Sequence, residues 1–164
     1  MKKSEIYKML RSGEMADLIK ESVCGKSAVN NSQELYNILK PLTVKDDDRE
    51  HFMCVFVNAK NKILKIETLF TGSIGESPVY PREVIKRALK LKAVAVIFAH
   101  NHPSGDPEPS KNDLMITKQL LGACATMGIT VHEHIIIGNG KYFSMTDQGI
   151  IANYYRQWRD FSNL

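Results

Sequence analysis

The residues of this sequence best suited to bind a metal ion are His100, His102 and Asp113. Residues i and i+2 on extended backbone point to the same side, so two imidazoles at the end of a predicted strand can face one point. Asp113 lies in the first turn of the next predicted helix, and the Pro/Gly-rich loop between them allows that turn to fold back over the histidines. Two imidazoles, a carboxylate and an open position are typical of a catalytic zinc site.

The same residues also have structural interpretations. An isolated His-x-His pair occurs often by chance, and Ser110 with Asp113 has nearly the spacing and residue types of a capping box. Ser110 would then be the N-cap and Asp113 the third helical residue. The two roles are compatible, because Ser110 can cap the helix and still lie near a metal. Two histidines at the end of a buried strand have little structural purpose, which favours the metal site.

The segment HNHPSGDPEPSKND, residues 100–113, resembles the JAMM motif of zinc hydrolases, in the extended form that marks the RadC family. The flanking segments PREVIKRALKLKAVAVIFAHNHPSG and EHIIIGNGKYFS are similar too, and the resemblance runs from about residue 32 to 149. It implies one zinc ion held by His100, His102 and Asp113. It also implies that Ser110 helps to hold the oxyanion of a tetrahedral intermediate.

Enzymes of this type also use an upstream glutamate as general acid and base. Spacing alone does not choose it, because four glutamates precede the motif: Glu50, Glu67, Glu76 and Glu83. The resemblance places it just before the first long strand, in an acidic and then apolar context, which Glu50 matches. The alternative for Glu50 is a solvated charge at the start of a strand.

The function implied by the resemblance is zinc-dependent hydrolysis of peptide or isopeptide bonds, in which zinc-bound water activated by Glu50 attacks the carbonyl of a peptide or protein substrate. One alternative is a non-catalytic, protein-binding scaffold, which would not need an open zinc site. Another is a DNA-acting protein, but two-metal nucleases need clustered carboxylates. The chain is too short for the helix-hairpin-helix region of longer RadC proteins, so we expect weak or no nucleic-acid binding.

Two positions depart from the family pattern. His51 replaces an aliphatic residue, and we expect it to be exposed on its strand, although it could also tune the pKa of Glu50. Glu133 replaces an aspartate, and it separates His132 from His134, which form a second His-x-His. No acidic residue follows that pair at ligand spacing, so we interpret His134 as a buried residue or as one that supports the metal ligands.

The elements around these residues predict a single α/β domain, with one mixed sheet flanked by helices. This agrees with the MPN/JAMM, cytidine-deaminase-like sandwich that the resemblance implies. A helical pattern covers residues 4–21 and is broken near Gly13, and Ser32 is the predicted N-cap of a short helix that Pro41 ends. Strands are predicted at 52–57, 63–70, 93–99, 129–137 and 142–145, and helices at 81–91, 110–127 and 148–161.

Composition and the N-terminal sequence limit the partners, the location and the cysteine chemistry that we expect. The net charge of +4 is spread along the chain, which permits a nucleic-acid partner but does not argue for one. The N-terminus lacks the features of a signal peptide and no apolar run could span a membrane, so a cytoplasmic location is expected. The three cysteines show no paired spacing and are expected to be reduced thiols, buried in the case of Cys54 and Cys124.

The chain divides into three predicted parts: an N-terminal helical segment (1–28), the JAMM/MPN domain (29–149) and a C-terminal helical tail (150–164). The tail interleaves aromatic and basic residues, which could stack on nucleic-acid bases. Its aromatic residues have helical spacing, however, so docking on the domain or on a sister subunit is the preferred interpretation. Docking on a sister subunit would make the protein a homodimer.

Overall fold

The computed structural model describes residues 2–43, 48–72 and 79–162. The chain begins with three helices and a 3-10 turn, and then alternates strands with helices. In chain order the elements are α1 (Lys3–Ser12), α2 (Glu14–Val23), α3 (Ser32–Leu39), a 3-10 turn (Lys40–Thr43), β1 (Glu50–Val57), β2 (Ile63–Gly72), α4 (Pro81–Leu91), β3 (Ala95–Asn101), α5 (Lys111–Thr126), β4 (Thr130–Ile137), β5 (Tyr142–Ser144) and α6 (Ile150–Ser162).

The five strands in the described part of the chain form one mixed sheet in the order β2-β1-β3-β4-β5. β3 and β4 are parallel, with α5 as the crossover between them, and the other neighbouring pairs are antiparallel. β1 and β3 lie in the interior of the sheet and are almost entirely buried. Their continuous apolar sequences reflect burial on both faces, which removes the usual alternation of apolar and polar residues.

Helices cover both faces of the sheet. On one face, alternate residues such as Phe52, Val96 and Phe98 pack with α4, α5 and α6. On the other face, residues such as Val55 and Ile97 pack with α3 and, at the margin, with α2. The predicted single α/β domain with a mixed sheet flanked by helices is therefore confirmed.

Most of the predicted elements are confirmed to within one to three residues at each end. The N-terminal helical pattern is split at Gly13, whose φ of 83° lies in the left-handed region and ends α1. One prediction is wrong: Ser32 is not the N-cap of α3. Asn31 is the N-cap, because its side chain accepts a hydrogen bond from the backbone N–H of Glu34 at 2.8 Å. Ser32 Oγ instead donates to Asp147 Oδ2 at 2.5 Å.

The C-terminal helix α6 docks on its own domain. Ile151 is buried, and the Tyr154 hydroxyl donates to the carbonyl of Leu114 in α5 at 3.2 Å. The Tyr155 hydroxyl accepts from the N–H of Val131 in β4 at 2.6 Å. Phe161 remains largely exposed, at 78% of its full surface. The aromatic spacing of the tail thus reflects packing within the chain, while a homodimer formed through it stays a prediction.

The burial of Cys54 and Cys124 agrees with the prediction. Cys54 and Cys124 are buried and free, Cys24 is half-buried, and burial raises the pKa of the Cys124 thiol to about 11. Such thiols are poor nucleophiles. In the part of the chain that the structure describes, no helix is both long enough and apolar enough to cross a bilayer.

Candidate metal centre

The strand β3 brings the two histidines to one end of the sheet. His100 lies opposite Phe52 of β1 and is completely buried. The N–H of His102 donates to the carbonyl of Ile137 at 3.0 Å, which extends the pairing with β4 beyond the end of β3. Asn101, between the histidines, ties the start of β1 to this end of the sheet, because its Oδ1 accepts from the N–H of His51 at 2.8 Å.

The loop after β3 carries the chain back over the histidines. Gly105 has a φ of 83°, and its carbonyl accepts from the N–H of Asn139 in the β4–β5 turn at 2.9 Å. The approach is so close that a Cβ on Gly138 would lie 2.4 Å from the Gly105 oxygen. Within the loop, the carbonyl of Asp106 lies 2.8 Å from His102 Nδ1. It can only accept, so Nδ1 donates, and Nε2 is the ring nitrogen left for Asp113 or for a metal ion.

Asp113 reaches the histidines from the first turn of α5. Ser110 is the N-cap, as predicted, and its Oγ accepts from the N–H of Asp113 at 3.1 Å. In return, Asp113 Oδ2 accepts from Ser110 N at 2.8 Å and from Ser110 Oγ at 2.7 Å. The capping box thus holds the carboxylate in one orientation, with Oδ1 facing His100.

The three side chains converge as metal ligands do. His100 Nε2 lies 3.0 Å from His102 Nε2 and 3.3 Å from Asp113 Oδ1, and His102 Nε2 lies 3.3 Å from Asp113 Oδ2. Tetrahedral zinc with bonds of about 2.0–2.1 Å needs ligand atoms roughly 3.3 Å apart. The two Asp113 distances involve different carboxylate oxygens. One ligand atom from each residue lies within 4.8 Å of the others, so this buried group could bind a metal ion.

Electrostatics at the three residues favours a cation. Burial alone raises the pKa of the Asp113 carboxyl, but hydrogen bonds from His100 and His102 outweigh it and hold that pKa far below its usual range. The hydrogen bond to Asp113 raises the pKa of His102, against the opposing effect of burial. The carboxylate is thus ionised. A nearby positive charge stabilises it, and either a proton on a histidine or a metal ion can supply that charge.

His134 contacts the Nδ1 side of the His100 ring, and Thr117 in turn contacts His134. His134 of β4 is fully buried, and its Nε2 lies 2.8 Å from His100 Nδ1. Its Nδ1 lies 2.5 Å from Thr117 Oγ1 in α5. Burial and the neighbouring His100 lower the pKa of His134 well below its usual value, so the ring is neutral. The sequence predicted His134 as a buried or supporting residue, whereas it gave no reason to single out Thr117.

The second His-x-His does not form a second pair of ligands. β4 has a bulge, in which the partner of Val96 is Val131 and the partner of Ile97 is Glu133. His132 is the extra residue. Its Nε2 lies 3.1 Å from Asn61 in the β1–β2 turn, whereas His134 points to α5 on the other face.

Glu133 is part of the scaffold at this strand. Its carboxylate accepts hydrogen bonds from the N–H groups of His134 and Thr146, at 2.8 and 2.9 Å, and from the hydroxyl of Ser144. The side chain belongs to the face of the sheet opposite His134. Its role is therefore to join β4 to the segment after β5.

Glu50 lies at the start of β1, on the histidine side of the sheet. It is two residues before Phe52, so the two side chains share a face, and the Phe52 ring stacks on His100 with centroids 6.1 Å apart. Its charge contributes to the raised pKa of His102. The partly buried Glu50 is thus near the candidate metal centre.

The structure separates Glu50 from two of the other glutamates. Glu67 makes ion pairs with Lys65 and Arg87 at 3.1 and 3.5 Å. Glu83 is half-exposed in the first turn of α4, beside Arg82. Glu76 lies outside the described residues.

The prediction that His51 is exposed is wrong. Its side chain is buried, with 2% of its surface accessible, and its Nδ1 lies 3.1 Å from Thr71 Oγ1 in β2. Because it alternates with Glu50 and Phe52 along β1, it belongs to the face of the sheet opposite the candidate centre. The acidic run before β1 suggested a solvated strand start, but β2 and Asn101 enclose this position.

Comparisons with known proteins identify the family of this chain. A UPF0758 protein of Methanosarcina mazei is 40% identical over 126 residues, which are 77% of this chain and 55% of that protein. A UPF0758 protein of Listeria welshimeri is 48% identical over 101 residues, or 62% of this chain and 45% of that protein. The chain spans about half the length of these relatives. The model of the RadC-like JAB domain family matches residues 29–150, and the chain belongs to that family.

Proposed function

We propose that this protein is a zinc-dependent hydrolase of peptide or isopeptide bonds. The observation that carries the proposal is the convergence of His100, His102 and Asp113, whose ligand atoms lie within 4.8 Å of one another and are close enough to share one ion. Membership of the RadC-like JAB domain family supports it, because the JAB/MPN superfamily suggests metal-dependent hydrolysis. Because the chain spans only half of its relatives, the natural substrate is proposed as a chemical class alone.

The hydrogen bonds of His102 and Asp113 indicate which atom of each side chain would bind the ion. His102 would bind through Nε2, because its Nδ1 donates to the Asp106 carbonyl. Asp113 would bind through Oδ1, because Oδ2 accepts two hydrogen bonds from Ser110. Zinc bound there would polarise the substrate carbonyl and lower the pKa of a water ligand to about 7.

Glu50 is the proposed general base and acid. It lies on the face of the sheet that carries His100, and its charge acts on His102. From that position its carboxylate would accept a proton from the attacking water and pass it to the leaving nitrogen. A peptide nitrogen is a poor leaving group until it is protonated, so one carboxylate serves both halves of the reaction.

Ser110 is the proposed donor to the oxyanion. In the structure its hydroxyl donates to Asp113 Oδ2 while accepting from Asp113 N. The hydroxyl hydrogen can rotate, so the same group can turn from the carboxylate to a substrate oxygen without loss of the cap. The backbone N–H of Ser110 keeps its own bond to Oδ2 and holds the carboxylate in place.

The first test measures metal content and hydrolysis together. The purified chain should hold one zinc ion per molecule and cleave some members of a panel of fluorogenic peptide and isopeptide substrates. Removal of zinc with a chelator should abolish cleavage, and added zinc should restore it. Glu50→Gln should keep the metal and lose about 10²–10⁴-fold in rate.

Glu83→Gln is the matched control, because Glu83 lies in α4 beside Arg82 and is not placed in the site. It should keep full activity. The proposal would be refuted if the folded wild-type chain holds no zinc in a preparation that has not been exposed to a chelator. Full activity in Glu50→Gln would remove Glu50 from the mechanism, and loss of zinc from that variant would make Glu50 a ligand.

A further inference from the structure

We propose that Thr117 and His134 are positioning residues that fix His100 in the tautomer able to bind the metal. They form a hydrogen-bond chain from the backbone of Asp113 through Thr117 and His134 to the ring of His100. The inference rests on the proposed metal site and deepens it, because it explains how one ligand is kept ready for the ion. His100 is completely buried, so water is a poor substitute for these partners.

The direction of the chain is set at its first member. Thr117 Oγ1 lies 2.5 Å from the carbonyl oxygen of Asp113, one turn earlier in α5. A carbonyl can only accept, so the single hydroxyl hydrogen of Thr117 is used in this contact. Thr117 Oγ1 also lies 2.5 Å from His134 Nδ1. With its hydrogen already used, the oxygen must accept there, and His134 Nδ1 must carry a hydrogen.

The same reasoning continues to the ligand. A neutral imidazole protonated on Nδ1 has its lone pair on Nε2. His134 Nε2 lies 2.8 Å from His100 Nδ1, so it accepts and His100 Nδ1 donates. In the neutral ring the lone pair of His100 is then on Nε2, the atom that faces His102 and Asp113 and that a metal ion would take in place of a proton. Each contact in the chain thus has one donor and one acceptor.

Aromatic packing holds the His134 ring in the required plane. Phe52 and Phe98 meet it edge-on, with ring centroids at 5.4 and 6.0 Å and interplanar angles of 75° in both cases. The chain also joins three elements of the site, because Thr117 is in α5, His134 in β4 and His100 in β3. A ligand held on β3 is therefore tied to the helix that supplies the carboxylate.

Zinc affinity tests the inference without an activity assay. Competition with a chromogenic chelator gives the dissociation constant of each variant. His134→Phe removes the acceptor and Thr117→Val removes the hydroxyl, so each should weaken zinc binding about 10–100-fold. His134→Gln keeps an acceptor at the reach of Nε2, and Thr117→Ser keeps the hydroxyl, so both should stay within a few-fold of wild type.

His132→Phe is the matched control, since His132 contacts Asn61 at a distance from the centre. It should bind zinc like wild type. The inference is overturned if His134→Phe and Thr117→Val bind zinc as tightly as wild type, or if the conservative variants lose as much affinity as the disruptive ones. The second outcome would show a purely packing role.

A second measurement does not depend on variants or on zinc. Nitrogen-15 spectra of the histidine rings distinguish protonated from unprotonated nitrogens. In the metal-free wild type, His100 and His134 should each be protonated on Nδ1, and His134 should be unprotonated on Nε2. The opposite tautomer at either residue overturns the inference. A wild type that binds no zinc but shows these tautomers would refute the proposed function alone.

Discussion

The chemistry of individual residues in this protein depends on which atoms of each side chain already form hydrogen bonds within the protein. His102 Nδ1 donates to a backbone carbonyl, and Asp113 Oδ2 accepts from Ser110, which leaves Nε2 and Oδ1 for an ion. The sequence could predict the three ligand candidates, because their types and spacing are local. It could not predict Thr117, because a threonine one turn after Asp113 is ordinary in a helix and its partner His134 lies 17 residues further along the chain.

At this scale, Asp113 and Ser110 should respond differently to substitution. Asp113→Ala should lose most of the bound zinc, because a direct ligand disappears. Ser110→Ala should keep zinc and lose about 10²–10³-fold in rate, the usual cost of one oxyanion donor. It should also lose about 1 kcal/mol of stability, because Ser110 caps α5. Zinc content, hydrolysis rate and urea unfolding measure the three effects.

Ser110→Thr is the matched control for this prediction, because it keeps both a hydroxyl and a capping side chain. It should retain most of the stability and a measurable part of the activity. Equal rates in Ser110→Ala and wild type would limit Ser110 to capping. Loss of zinc from Ser110→Ala would instead show that its main role is to orient Asp113.

At the scale of elements, the sequence predicts where helices and strands lie better than it predicts which side chain performs a local task. Residues 30–32 are Asn, Asn and Ser, all good N-caps. Only the side-chain contact identifies Asn31 as the cap of α3. The bulge in β4 is a second case. His132 and His134 are two residues apart, a spacing that predicts side chains on the same face of a strand. Only the pairing with β3 shows that His132 is an extra residue and that the two side chains point in different directions.

The cap of α3 gives a direct comparison of the two candidates. Asn31→Ala should lower the free energy of unfolding by about 1 kcal/mol, because the N–H of Glu34 loses its acceptor. Ser32→Ala should cost less, since its exposed hydroxyl makes a surface hydrogen bond to Asp147. Urea unfolding followed by circular dichroism measures both. A larger loss in Ser32→Ala would restore Ser32 as the more important residue of this turn.

At the scale of the whole molecule, the candidate metal centre lies at one end of a sheet whose two faces are covered by helices. The sequence predicted one mixed sheet with helices on it, because hairpins and crossovers leave local patterns. It did not predict the strand order, because the pairing of β1 with β3 joins residues that are 38 to 48 positions apart. That pairing puts Phe52 beside His100 and places Glu50 on the side of the histidines.

The two apolar clusters lead to a prediction about the metal-free protein. Zinc fingers unfold without metal because they have little else to hold them, whereas here buried residues pack on both faces of the sheet. The chain in excess EDTA should therefore keep its far-ultraviolet circular dichroism spectrum at room temperature. Its Tm should be lower than with zinc, because a ligand that binds only the folded state stabilises it, by about 4 kcal/mol at 1,000 times its Kd.

His102→Ala is the control that separates zinc linkage from other effects of the chelator. This variant lacks one ligand, so its Tm should be insensitive to EDTA and to added zinc. A wild-type chain that unfolds in EDTA at room temperature would contradict the prediction and make the centre structural. That result would also change the interpretation of Glu50→Gln. If loss of metal unfolds the chain, a lower rate in that variant could come from metal loss and unfolding as well as from loss of the general base.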